Sequence, residues 1–179
     1  MDEYCKGEQM RRALQVVVLV LLAACSSPAG VDSGDQTARL SVSNTRGIRW
    51  NAVVESVDTV RPALRVTVTG RNTERSSREL YYGACNVIVK LFRTTSDTEP
   101  VWDSSRQPVV CILPLYVRRL DEGDTLSFVW RRDSRDIVSD SVAAGQYFVT
   151  AQAHFSWNSS LTARENTGEL TAGYVTLKK

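Results

Sequence analysis

Four cysteines and a single histidine carry most of the covalent and acid–base chemistry open to this chain of 179 residues. A thiol can be acylated, pair with a second thiol or bind a soft metal, and its neighbours and compartment select among these. Cys25 follows Leu22-Ala23-Ala24, small residues that let the segment fit a peptidase, and its thiol can accept a lipid. Cys85 and Cys111 stand apart from it as an even pair. His154 lies in Gln152-Ala153-His154-Phe155. A catalytic imidazole needs a positioned nucleophile and an orienting carboxylate, and nothing near it in sequence supplies them. There is no HExxH, no GxSxG and no glycine-rich phosphate loop. The chain is therefore expected to be non-enzymatic, with no cofactor and no resident metal.

The context of Cys25 is decided by what precedes it. Ala13 to Ala24, ALQVVVLVLLAA, is an apolar run of about a dozen residues behind Arg11-Arg12, the layout of a signal peptide and too short to span a bilayer. Leu22-Ala23-Ala24-Cys25 resembles the lipobox of bacterial lipoproteins, in which a peptidase cuts before a cysteine that already carries diacylglycerol. This resemblance implies residues 1–24 as signal, Cys25 as the acylated N-terminus, and a protein exported and anchored to a membrane. The alternatives are an ordinary secretory signal with an incidental cysteine, or a buried apolar helix.

Met10 makes a more usual start than Met1, because Asp2, Glu3 and Glu8 dilute the positive region that orients a signal. Ser26 in place of Asp after the cysteine permits transfer to an outer membrane, so the expected location is an outer membrane facing the periplasm, or the cell surface. Residues 25–36 are the lipidated cysteine and a tether, Ser26 to Gln36 reading SSPAGVDSGDQ, Ser/Gly/Pro/Asp-rich with almost nothing to bury, and the folded domain is expected over 37–179.

On this reading Cys5 is removed, Cys25 is lipidated, and Cys85 and Cys111 remain. Export favours a disulfide over a metal site, since no second pair or nearby histidine completes a zinc set. Bridging them closes a loop of about 26 residues, worth roughly 3–4 kcal/mol in the chain-entropy account. The net charge is +2 and stays there once residues 1–24, with three basic and three acidic side chains, are gone. That balance, with export, argues against a nucleic-acid partner. Asp121-Glu122-Gly123-Asp124 offers oxygens to calcium, but the same residues close a strand turn without a metal.

These groups must be held by strands. Period-two alternation appears at Leu64-x-Val66-x-Val68, Val87-x-Val89-x-Leu91, Leu126-x-Phe128-x-Trp130 and Phe148-x-Thr150-x-Gln152. Further strands are expected over 38–42, 48–57, 117–120 and 173–177, and no helical stripe follows the signal. About eight short strands in one domain predict an all-β, immunoglobulin-like antiparallel sandwich, with a barrel as the competing arrangement. The sequence does not read as an antibody-type domain.

The residues Val66-Thr67-Val68 with Asn72-Thr73, Val87 to Phe92, Val101-Trp102-Asp103-Ser104, Gly123 to Trp130 and Ala144 to Ala151 follow one another in this order. From about Leu64 to Phe155 this order resembles the BsuPI family of intracellular proteinase inhibitors, which are immunoglobulin-like sandwiches. The resemblance implies that fold and an inhibitor-like role. The export signal and the cysteine pair depart from the family, so a cytosolic role does not carry over, and no inhibitory loop maps residue by residue.

Of the four tryptophans, Trp130 follows strand alternation into the core, whereas Trp102 lies between Pro100 and Pro108 in a polar stretch. Core packing is the preferred reading for Trp102, and display at a binding surface the alternative. The expected surface is loops 93–110 and 131–145, with Trp102, Asp103 and Arg106 as candidate contacts. The expected function is a membrane-anchored protein-interaction sandwich, proteinase-inhibitor-like by resemblance, whose partners are the membrane through Cys25 and an envelope protein or peptide. An assembly lipoprotein of an envelope complex, or a carbohydrate or small-ligand module, are the other readings.

Overall fold

The computed structural model describes residues 41–57, 62–108, 111, 114–139, 142–162 and 164–179, all within the unit Thr37–Lys179. The expected signal over 1–24, Cys25, the tether over 25–36 and most of the strand expected over 38–42 lie outside the described residues.

The domain is an all-β antiparallel sandwich. Its strands are β1 (Ser43–Thr45), β2 (Ile48–Val57), β3 (Ala63–Asn72), β4 (Arg78–Tyr82), β5 (Val87–Phe92), β6 (Trp102–Asp103), β7 (Tyr116–Leu120), β8 (Thr125–Asp133), β9 (Gly145–Ser156), β10 (Arg164–Asn166) and β11 (Leu170–Leu177). Three of the eleven are only two or three residues long, so eight of ordinary length carry the fold. One sheet has the order β1-β2-β3-β8. The other is built on β9, which pairs with β5, β4, β10 and β11, while β6 flanks β5 and β7 flanks β4. Strands β2-β3-β8 of one sheet face β5-β9-β11 of the other, the two-layer antiparallel arrangement of an immunoglobulin-like sandwich.

Alternation explains most of the core. Leu64, Val66 and Val68 of β3 and Val87, Val89 and Leu91 of β5 are buried, and the residues between them are only partly so. Strand β9 differs, because β5 and β11 flank it and the other sheet covers it; Tyr147 to Ala151 are buried without a break. Fully buried Trp50 of β2 stacks on Phe128 of β8 in its own sheet and on Phe155 of β9 in the other, with centroids 6.0 and 5.2 Å apart. Gly70 is the β3 partner of Trp50, and a Cβ there would run into the indole. A glycine is needed at that position for close approach rather than for an unusual φ.

Asn72 joins two turns from the end of β3. Its Nδ2 donates to the carbonyls of Ser76 and Leu120 at 2.9 and 3.1 Å, and its Oδ1 accepts from the amide of Glu74 at 3.0 Å. Its amide donates to Asp124 O, and its carbonyl accepts from Gly123 N. A fully buried amide is stable there because its side chain and its backbone are bonded. The cluster at 121–124 is the β7–β8 turn: Gly123 takes φ +82°, and the Asp124 carboxylate accepts from the Asp121 amide at 3.1 Å.

Strands β4 and β5 follow the same edge of β9, with Tyr81 opposite Ser156 and Val87 opposite Ala153, and residues 83–86 interrupt them. Cys85 lies in that interruption, and Cys111 lies in the connection from β6 to β7. The two form a disulfide with Cα atoms 5.8 Å apart. The bridge ties the 104–115 connection to the edge of the sheet.

Candidate functional site

The sequence candidates are positioned by β6 and the 3-10 turn that follows it, Ser104–Arg106. Trp102 is 7 % exposed and meets Trp130 of β8 edge-on at 5.8 Å, so its ring packs between the two sheets. The buried Asp103 carboxylate accepts from the amide and the hydroxyl of Ser105 at 2.8 and 2.7 Å, capping the turn. Arg106 is exposed, with Asp103 at 3.9 Å and Glu99 at 4.0 Å. Of the three, the structure leaves Arg106 open to solvent and places Trp102 and Asp103 in packing and capping roles. Loop 93–101 is closed by Asp97, which accepts from the amides of Arg93 and Thr94 at 3.1 and 3.0 Å. Bonds from Thr94 hold the Asp97 carboxyl below its ordinary pKa. In the 131–145 segment, residues Ser134–Ile137 form one helical turn capped by Asp133.

Trp102 divides two grooves. The smaller, about 330 Å³, is lined by Asp103, Arg106 and Asp136 among others. The larger, about 500 Å³, lies between the interruption of β4 and β5, the turn after β6, the disulfide, and β8. Four consecutive residues of β8, Val129 to Arg132, line it. Successive side chains of a strand point to opposite faces, so a groove touching four in a row runs along the strand's edge rather than over one face. Among the described residues that edge pairs with nothing, since β8 ends its sheet.

The groove has a polar side. Among the described residues its charged lining is Arg131 and Arg132. Asn86 also lines it, and both Asn86 Nδ2 and Arg132 Nε are buried without a hydrogen-bond partner among the described residues. The carboxylate of Asp136 stands 3.5 Å from Arg132 Nε.

Beside the groove no strand pairing among the described residues joins the two sheets. Consecutive strands β7 and β8 belong to different sheets, and each ends its hydrogen-bonded path. Tyr116 and Val117 of β7 and Leu115 just before it are exposed, Val117 by 58 %, and Val129 of β8 by 61 %. Tyr82 stacks on Tyr116 at 5.5 Å and meets Phe128 edge-on at 4.9 Å. Tyr82 thereby links the start of β7 to β8 at Phe128, one residue before Val129 of the groove lining.

No known protein family and no curated protein matches this chain. Among solved structures it is similar to beta-glucosidase 3B from Thermotoga neapolitana, at 17 % identity and a TM-score of 0.32. The match covers 74 % of this chain and 17 % of that chain.

His154 lines neither groove. Its Nε2 is buried without a hydrogen bond, and burial, then the charge of Arg164, hold its pKa below the ordinary 6.5. Among the described residues no three His, Cys, Asp or Glu side chains gather as metal ligands would. Sequence reasoning did not single out Asn86, Arg131 or Arg132 as site residues. Asn86 follows Cys85, and the arginines end a strand whose Leu126-x-Phe128-x-Trp130 pattern points inward. The only signal was that a bridged cysteine brings its neighbours to a surface crossing.

Proposed function

We propose that this chain is a lipid-anchored, non-enzymatic protein-interaction domain of the bacterial cell envelope, tethered through Cys25. The signal-like run and the Leu-Ala-Ala-Cys segment support the anchor. The observation that carries the interaction reading is the side of the sandwich left unclosed among the described residues, where Tyr116 and Val117 of edge strand β7, with Leu115 just before it, are exposed, as is Val129 of β8. Apolar residues on an unpaired edge favour addition of a strand from another chain, and edges without such a role are usually shortened or covered. Arg118 and Arg119 on the same strand limit indiscriminate pairing and favour a partner of complementary charge.

Two narrower forms of this role stand on different observations. The BsuPI-like order from Leu64 to Phe155 supports a proteinase-inhibitor-like role. An open, apolar edge supports an assembly lipoprotein that holds an envelope complex at its membrane, and this is the form the geometry favours. Cross-linking in intact cells followed by mass spectrometry tests the reading. An acylated Cys25 as the N-terminus, with envelope proteins captured by the wild type and lost in Cys25→Ala, is the expected result. A chain without lipid, or capture unaffected by Cys25→Ala, overturns the anchored reading.

A further inference from the structure

We infer that the groove between Trp102, Trp130 and the disulfide is a binding site for an extended peptide segment carrying an acidic side chain. The inference rests on the protein-interaction reading and names the chemistry of the partner.

Three observations converge. The groove runs along β8, which among the described residues ends its sheet, and a sheet-ending strand is where an added strand can pair. Its volume, about 500 Å³, falls in the range of sites that enclose a ligand group rather than a surface dimple. Among the described residues its buried donors without a hydrogen bond are Asn86 Nδ2 and Arg132 Nε, the latter ion-paired at 3.5 Å with the displaceable, more exposed Asp136 carboxylate. A buried donor left without an acceptor is costly, so a ligand supplying acceptors there recovers what the empty site loses. Among the described lining residues the charged ones are Arg131 and Arg132, both cationic, so the acceptor that fits is an anion. A guanidinium and an amide present their N–H groups to a carboxylate in the geometry it prefers.

The apolar remainder sets the surroundings of that carboxylate. Val87, Ile88, Trp102 and Val129 line the same groove, so side chains flanking the acid would be apolar. The exposed apolar end of β7 continues the surface past Tyr82. Asp136 beside Arg132 is more than half exposed and would be displaced toward solvent when a peptide carboxylate enters.

Random-decapeptide phage display on the full chain in detergent tests this. The expected result is enrichment of Asp or Glu at one position by roughly tenfold over the input, with apolar neighbours. Arg132→Gln and Asn86→Ala should each abolish the enrichment, while Arg49→Gln, exposed on β2 and outside the groove, should keep it. Far-ultraviolet circular dichroism identifies any variant that fails to fold, and either groove variant alone suffices. No acidic enrichment, or enrichment unchanged in a folded groove variant, overturns the site. Full displacement of selected phage by 10 mM free glutamate would assign the groove to a small carboxylate and overturn the peptide assignment. Acidic enrichment with no protein captured in cells would leave the groove standing and remove the interaction reading.

Discussion

The indoles of Trp102 and Trp130 meet edge-on with their centroids 5.8 Å apart, joining the short strand β6 to β8 of the opposite sheet. This contact holds the two sheets together where their edges are otherwise unclosed, and it forms a wall of the larger groove. Truncating Trp102 removes a buried aromatic. Trp102→Ala should cost about 3–5 kcal/mol in urea unfolding, while Val129→Ser, an exposed change on the same groove, should stay within about 0.5 kcal/mol. Equal effects would show that Trp102 contributes no more to packing than a surface residue.

Gly70→Ala is a small change with a large expected penalty. The added methyl enters the ring of Trp50, which is fixed between Phe128 and Phe155 and has no free direction to move. Overpacking of this kind should cost about 1–3 kcal/mol, read as a lower thermal midpoint. Gly83→Ala is the control, since nothing lies within 4 Å of a Cβ there. A midpoint unchanged by Gly70→Ala would mean that Trp50 has room to shift.

The Cys85–Cys111 bridge spans 26 residues and fastens the groove wall to the edge of the sheet. Replacing both cysteines by alanine should lower stability by roughly 3–4 kcal/mol. Native protein should show no free thiol at either position by mass spectrometry under non-reducing conditions. Alkylation of both without prior reduction would contradict the bridge.

His154 supplies a pH dependence with a definite sign. Its folded pKa lies below the unfolded value of 6.5, so between the two the unfolded chain binds more protons. The stability present above 6.5 is therefore lost as pH falls through the folded value. The urea midpoint should drop between pH 7.5 and 5.5, and His154→Gln should flatten that drop. A midpoint that rises on acidification, or an unchanged slope in the variant, would contradict this origin.

Where one face of a strand meets the core, the sequence is transparent. Leu64, Val66 and Val68 alternate with half-buried residues, and the strand, its inward face and its neighbours follow from period two alone. Strand β4 was not among the expected strands, because Arg78-Glu79 opens it and only Leu80 is fully buried, leaving no pattern to read. Asn72 reads as a turn residue beside Thr73, yet it ends β3 and is bonded to Leu120, 48 residues away. The site was less legible than the fold for the same reason. Asn86 and Arg132 are ordinary polar residues in sequence, and their buried, unmet donors exist only because β8 of one sheet docks beside the interruption of β4 and β5 in the other.

The central claim is that the unclosed β7–β8 side binds a protein at the envelope, and site-specific photo-cross-linking in intact cells tests it most directly. A photoreactive residue at Val117 or Val129 should yield a discrete cross-linked species, while the same residue at Val42, exposed beside β1 at the opposite end of the β8 sheet, should yield none. Cross-links from Val42 alone, or from none of the three positions, would contradict the account.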